Sequence, residues 1–186
     1  MPFLSRQKED GRKTDRKERL EMAKQKEKEG KTNAMRILEK KKISYTAHTY
    51  DCEEFLDGVS VADALGQPHE LVYKTLVTVG KSREHYVFVI PIEAELNLKK
   101  AAKAAKEKAI EMLPLKELTD LTGYVRGGCT CIGMKKQFPV FLDASAEKLE
   151  KMMVSGGRRG MQIELAPQDL LKASGGCLAD VTEQPE

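Results

Sequence analysis

The sequence predicts an α/β domain built on a mixed, largely antiparallel sheet, barrel-like in curvature and flanked by short helices. Three observations carry that expectation. Strand-like and helix-like stretches interleave from Thr32 to the C-terminus without a regular strand–helix–strand period. Several connections between strand candidates are too short for the crossover that parallel neighbours need. Residues 86–92 are apolar on both parities, as a strand covered on both faces must be.

The elements follow in order. Asn33 is a plausible N-cap, and Met35, Ile37 and Leu38 give a short amphipathic helix that ends in Lys40-Lys41-Lys42. Residues 43–50 set Ile43, Tyr45 and Ala47 against Ser44, Thr46 and His48, the alternation of a half-buried strand. An acidic loop, 51–58, leads to a helix of one to two turns over 60–65 that Gly66 closes. Strands over 71–79 and 86–92 are joined by a turn at 80–85, the second strand being central. Asn97 caps a Lys/Ala-rich helix from 98 to about 108, followed by a short strand at 110–113 and a short helix at 115–121. Beyond a glycine-rich loop come a strand (138–142), a helix (146–151), two strands (152–155 and 160–166), a helix (167–173) and a last strand (178–181). Pro167 suits a first helical turn and Gly175-Gly176 a helix exit. No internal repeat is present.

Composition narrows the class of function. The chain has 186 residues, of which 40% are hydrophobic and 33% charged, a length that suits one domain with an appendage. No run approaches the ~18 consecutive apolar residues of a spanning helix, and the N-terminus turns charged at once, so neither a membrane span nor a secretory signal is expected. Four cysteines are too sparse for a disulfide scaffold, which points to a reducing, cytoplasmic setting. The net charge of +3 is unevenly placed. Residues 1–31 hold 11 of the 32 basic and 7 of the 29 acidic groups, leaving 21 and 22 in the remainder, a balance of −1. Residues 1–30 are therefore expected to be a charged extension, solvated or touching RNA, ahead of a domain over 31–186. For the body of the protein, bulk charge makes no case for nucleic acid; local patches would have to do so.

The chemistry-bearing residues are few. His48, His69 and His85 fall in a strand and two turns, His48-xxx-Cys52 is a lone pair of donors, Cys129-x-Cys131 lacks a second pair, and neither a metal nor a cofactor is expected. Cys129 and Cys131 sit in a glycine-rich loop where a thiolate could be activated, although small cysteines in tight loops are commonly packing residues. Phosphate-binding and dinucleotide fingerprints and the nucleophile elbow are absent. Three features stand out. Lys74 shares a strand parity with Val72 and Leu76, so it is either an edge lysine in water or a point charge lining a cavity. Gly127-Gly128-Cys129-Thr130-Cys131-Ile132-Gly133 permits close backbone approach, which suits an anion or a carbonyl oxygen. Ser155-Gly156-Gly157-Arg158-Arg159-Gly160 is a second such loop, carrying two guanidinium groups.

On these residues the chain resembles the YbaK/EbsC family, free-standing relatives of the editing domain of bacterial prolyl-tRNA synthetases. The matching stretches are Lys31-Thr-Asn-Ala-Met-Arg-Ile-Leu, His48-Thr49-Tyr50, Val72-Tyr-Lys-Thr-Leu-Val, Gly123-Tyr-Val-Arg-Gly-Gly, Gly133-Met-Lys-Lys, Phe138-Pro and Ser155-Gly-Gly-Arg-Arg-Gly-Met-Gln-Ile-Glu. The resemblance implies hydrolytic editing of a misacylated tRNA, closest to the branch acting on cysteinyl-tRNA(Pro). In that branch the substrate's own thiol attacks its ester and the enzyme supplies position and charge. It assigns Lys74, Gly128 and Thr130 to catalysis, and Tyr50, Thr75, Gly127, Ser155, Gly156, Gly157 and Gln162 to substrate contact. The implied partner is tRNA(Pro) carrying cysteine, with prolyl-tRNA synthetase a candidate companion.

The chain departs from the family pattern in three places. Thr130-Cys131 stands where the family commonly has Ser-Pro, Gln162 where it has an aspartate, and Phe55 lies near a family phenylalanine after the first strand. Two alternatives therefore stay open: a deacylase for another misacylated tRNA, such as alanyl-tRNA(Pro), and a catalytically silent module that binds tRNA or a synthetase.

Overall fold

The computed structural model describes residues 30–52 and 54–183, so the charged extension lies, apart from Gly30, outside the described residues. The first helix, α1 (Asn33–Lys40), is capped by Thr32 rather than by Asn33: the Thr32 hydroxyl accepts from the Met35 N–H at 3.3 Å. Asn33 is instead free to reach across the fold, and its amide donates to the Gly133 carbonyl at 3.1 Å. The following strand β1 (Thr46–Thr49) is shorter and more exposed than the alternation suggested. Ile43 and Tyr45 pack against the core from the segment ahead of it.

Next come α2 (Gly58–Leu65), closed by Gly66 in the left-handed region, and the long hairpin of β2 (Tyr73–Gly80) and β3 (His85–Pro91). Helix α3 (Leu98–Ala105) is capped by Asn97 as expected but ends early, where Lys106 turns left-handed. Strand β4 (Ile110–Met112), helix α4 (Leu115–Thr122) and strand β5 (Val140–Asp143) follow. The helix expected over 146–151 is a 3₁₀ turn at Ala144–Lys148, which the Asp143 carboxylate caps. The chain closes with β6 (Met152–Ser155), β7 (Met161–Leu165), α5 (Pro167–Ser174) and β8 (Cys177–Ala179).

The strands form two sheets, ordered β1-β7-β6 and β4-β2-β3-β5-β8. Pairing is mixed and largely antiparallel: among the described strands, β3–β5 and β5–β8 run parallel and the other pairs antiparallel. Strand β3 is the middle of the larger sheet and Val87, Phe88, Val89 and Ile90 are fully buried, which explains its apolar residues on both faces. Barrel closure is not found. The two sheets meet at one parallel bridge, Val72 with Met153, and β4 is too short to follow β2 along its length. One apolar cluster lies beneath α1 and both sheets, including Leu38, Val77, Val89, Met152 and Ile163. A second joins Phe88 and Ile90 to α3.

Two polar ties fix the elements that surround the divergence of the sheets. His69 bridges Asp63 of α2 (2.7 Å) and Glu93 (2.6 Å), and these hydrogen bonds raise the imidazole to about 8. Thr32 donates to the Gly156 carbonyl, anchoring the loop after β6 to the start of α1. Thr32→Ala should therefore remove a cap and orphan a buried carbonyl, destabilising the protein by about 1–2 kcal/mol. A thermal melt should show a drop of roughly 2–8 °C, while Thr32→Ser stays close to wild type. An unchanged melt for Thr32→Ala would contradict the anchoring role.

Candidate active site

Where β2 and β6 separate beyond the Val72–Met153 bridge, a cavity of about 420 Å³ opens. Its floor and walls come from five consecutive residues of the β2 region (Val72 to Leu76), from the start of α2, from Arg126, Gly127 and Cys129, and from Ser155 and Gln162. The strand register explains how β2 lines it. Residues 72 and 80 bond to the β3 side, so the odd-numbered residues turn their N–H and C=O groups to the opposite edge. Strand β4 and Leu113 cover that edge only as far as Val77. The Thr75 backbone groups are left on the open edge that borders the cavity.

The lining is mostly apolar, with a few polar side chains set into it, three of which are under-used. Lys74 is half-buried beside Ile90 in the register and has no carboxylate within ion-pair distance among the described residues. Burial pulls its ammonium below the usual lysine range, and the Glu95 carboxylate partly offsets this. The Thr75 hydroxyl and the Gln162 amide oxygen are buried without hydrogen-bond partners, an arrangement that native proteins seldom leave unexplained. Gln162 faces Ser155 across the β6–β7 pair, and both are buried.

Two glycine loops close the cavity, and they are interlocked. Gly127, with φ of 84°, and Gly128 end a tight turn in which the Gly128 N–H donates to the Val125 carbonyl at 3.0 Å. A Cβ on Gly128 would lie 2.8 Å from the Arg158 Cα, so the backbones of the two loops touch through the missing side chain. The N–H of Gly128, a residue that the resemblance assigns to catalysis, is thus already engaged in its own turn. The N–H groups of Cys129 and Thr130 have no partner among the described residues.

Of the residues singled out from the sequence, Lys74, Thr75, Gly127, Ser155 and Gln162 converge on this cavity. Tyr50, Gly128, Thr130, Gly156 and Gly157 lie outside its lining. Tyr50 is held at the far end of β1, its N–H on the Gly160 carbonyl at 3.0 Å. Thr130 is fully buried behind the loop, its hydroxyl unpartnered. Sequence reading missed Arg126 and the start of α2, and left Phe55 without a firm place; all three line the cavity. Arg126 was legible only as part of the Tyr-Val-Arg-Gly-Gly match, and Phe55 as a lone aromatic in an acidic loop.

The cysteines of the loop are not poised for attack. Cys129 and Cys131 are buried, and desolvation pushes both thiols up to about 12. Among the described residues no group of three His, Cys, Asp or Glu side chains is placed to hold a metal ion, and no helix is long and apolar enough to cross a membrane.

Residues 52–173 match the family model of the aminoacyl-tRNA editing domain. The chain belongs to that family. As an aminoacyl-tRNA editing domain it is a deacylase, acting on the ester that joins an amino acid to tRNA. A relative from Enterococcus faecalis, EbsC, provisionally named a Cys-tRNA(Pro)/Cys-tRNA(Cys) deacylase, is 49% identical over 162 residues, covering 87% of this chain and 98% of that protein. A solved structure provisionally described as a trans-editing enzyme for prolyl-tRNA synthetase shares the fold, with a TM-score of 0.70 at 22% identity over 82% of this chain and 99% of that one. A crystal structure of a hypothetical protein does so with a TM-score of 0.71 at 24% identity, over 78% and 96% of the two chains.

The buried thiols of this editing domain yield a direct test. Iodoacetamide at pH 8 should label the exposed Cys177 in the folded protein and spare Cys129 and Cys131. Both thiols titrate near 9 when unfolded and near 12 when folded, so their contribution to stability is complete below pH 9 and fades as the pH rises towards 12. The fall in melting temperature above pH 9 should be shallower for Cys129→Ala/Cys131→Ala than for wild type. Rapid labelling of Cys131 in the native state would contradict this.

Proposed function

We propose that this chain is a trans-editing enzyme that removes cysteine from mischarged cysteinyl-tRNA(Pro), with the substrate's own thiol as the nucleophile. The observation that carries the reading is a cavity with positioning groups and no activated nucleophile in its lining: Lys74, the Thr75 hydroxyl and the Gln162 amide oxygen have no side-chain partner among the described residues, while the one thiol in the lining, Cys129, is held protonated. The 49% identical relative is provisionally named for the same substrate.

In this reading the aminoacylated 3′ end enters the cavity and Lys74 positions the ester or an adjacent phosphate. The substrate Sγ attacks its own carbonyl carbon. A C–S bond forms, the C–O bond to the ribose breaks, and the thiol proton passes to the departing ribose oxygen. Water then opens the resulting thiolactone to free cysteine. The Cys129 N–H, which has no partner among the described residues, and the Thr75 edge both border the cavity and would donate to the developing negative charge. Holding thiol and carbonyl together makes the attack unimolecular, the main source of rate in a site with no nucleophile of its own. Gln162 and Ser155 would hold the amino acid. Tyr50, Gly156 and Gly157 would act from behind the lining, as supports of the loops. A prolyl-tRNA synthetase companion would supply tRNA selectivity that a body of net charge −1 is poorly equipped to provide.

Single-turnover deacylation of cysteinyl-tRNA(Pro), cysteinyl-tRNA(Cys) and alanyl-tRNA(Pro) tests the substrate. Release of cysteine with alanine retained supports the reading; release of alanine, or binding without turnover, overturns it. Lys74→Ala should lower the rate constant about 100-fold with little change in the thermal melt, as expected for loss of an electrostatic positioning group. Lys74→Arg should also be impaired, because a planar guanidinium does not replace a compact ammonium. Near-wild-type rates in both variants would return Lys74 to a solvated edge.

A further inference from the structure

Beside the cavity stand three arginines without a carboxylate partner among the described residues. Arg126, Arg158 and Arg159 are exposed, and none has a carboxylate within ion-pair distance among the described residues. Two of them are organised around one aromatic ring. The Arg126 guanidinium lies 4.1 Å from the centroid of Phe55, and that of Arg159 lies 6.0 Å from it. The Arg159 Nε donates to the Arg126 carbonyl at 2.8 Å, so the second arginine holds the first in place. Gly127 makes the arrangement possible: a Cβ there would stand 3.0 Å from the Phe55 ring and 3.4 Å from the Arg159 side chain. Phe55 is 37% exposed.

We propose that Phe55, Arg126 and Arg159 form a stacking platform for the single-stranded nucleotides that precede the terminal adenosine of the tRNA. A base lies on the ring and guanidinium planes, and the guanidinium charge takes the phosphate between that nucleotide and the next. The proposal rests on the reading that the cavity receives an aminoacylated 3′ end, and adds the nucleotides that would run along its Phe55–Arg126 wall towards Arg159. Aromatic and guanidinium faces are what proteins offer to unpaired bases, and stacking tolerates any base. An acidic peptide would use the charge and leave the ring idle. The platform also answers the charge problem: a body of net charge −1 places three arginines, without carboxylate partners among the described residues, where the RNA would arrive.

The test measures binding of the RNA tetranucleotide ACCA and of AMP to the intact protein, across a salt series. ACCA should bind at least roughly tenfold more tightly than AMP, the increment that base–aromatic stacking brings. Phe55→Leu and Arg126→Gln should each reduce that advantage to near nothing. Arg126→Lys should keep the salt dependence and lose most of the advantage, while Arg159→Gln should lower the salt slope by about 0.7. An advantage that is absent in wild type, or that survives in both Phe55→Leu and Arg126→Gln, overturns the platform. So does a penta-glutamate peptide that binds with the same dependence on Arg126 while ACCA does not. Deacylation of cysteinyl-tRNA(Pro) by the same preparations separates the two claims: turnover without an ACCA advantage defeats the platform alone, whereas loss of both turnover and AMP binding defeats the functional reading with it.

Discussion

The contact on which the site depends is the backbone of one glycine loop resting on the backbone of the other. Gly128 has no room for a side chain because the Arg158 main chain occupies that space. The start of α1 holds both partners in position, with Thr32 on the Gly156 carbonyl and Asn33 on the Gly133 carbonyl. Tyr124 adds a hydrogen bond to the Ile132 carbonyl at 2.6 Å. Two loops that would otherwise be mobile by composition thereby become a rigid wall opposite β2. Rigidity matters here because a site that works by positioning loses rate steeply when its geometry slackens.

The second constraint is the early divergence of the two sheets. A closed barrel would have paired β2 with β6 along its length and satisfied the Thr75 edge. A single bridge leaves that edge open, and from it follow the cavity, a Lys74 without a carboxylate partner among the described residues, and the orphan polar atoms of Thr75 and Gln162. Polar groups without partners reduce stability by an order of ~1–3 kcal/mol each, so their persistence together in one cavity points to a ligand that satisfies them. This is also the chemistry that selective editing needs. A synthetase pocket for proline rejects amino acids of similar or smaller size weakly, by only ~1–3 kcal/mol per methylene, so accuracy requires a second site that tests chemical identity instead of size.

Much of this was legible in the sequence where a single physical cause dominates. The doubly apolar β3, the Asn97 cap, the Gly66 exit and Pro167 at a helix start all report local geometry, and each stands where it was expected. Errors arose where tertiary contacts compete with local signals. Thr32 outranks Asn33 as a cap because Asn33 is drawn to Gly133, and the barrel fails because β4 covers only the far end of β2. Five of the ten site residues converge on the cavity, Lys74 among them, since strand parity and glycine clustering are sequence properties. Arg126 and Phe55 were missed or left unassigned because their meaning lies in a mutual contact across 71 residues of chain, which no spacing rule records. That the Gly128 N–H is already engaged by the Val125 carbonyl is equally invisible in the sequence, which does not reveal when a donor is occupied.

The central claim is that the protein supplies position and the substrate supplies the nucleophile. The most direct test compares single-turnover deacylation of cysteinyl-tRNA(Pro) with seryl-tRNA(Pro), which differs by one atom in the attacking group and keeps every other contact. The account predicts that the serine ester competes for binding yet is released far more slowly, and that Cys129→Ala leaves the cysteine rate near wild type. Equal rates for serine and cysteine, or a folded Cys129→Ala protein that releases no cysteine, would contradict it.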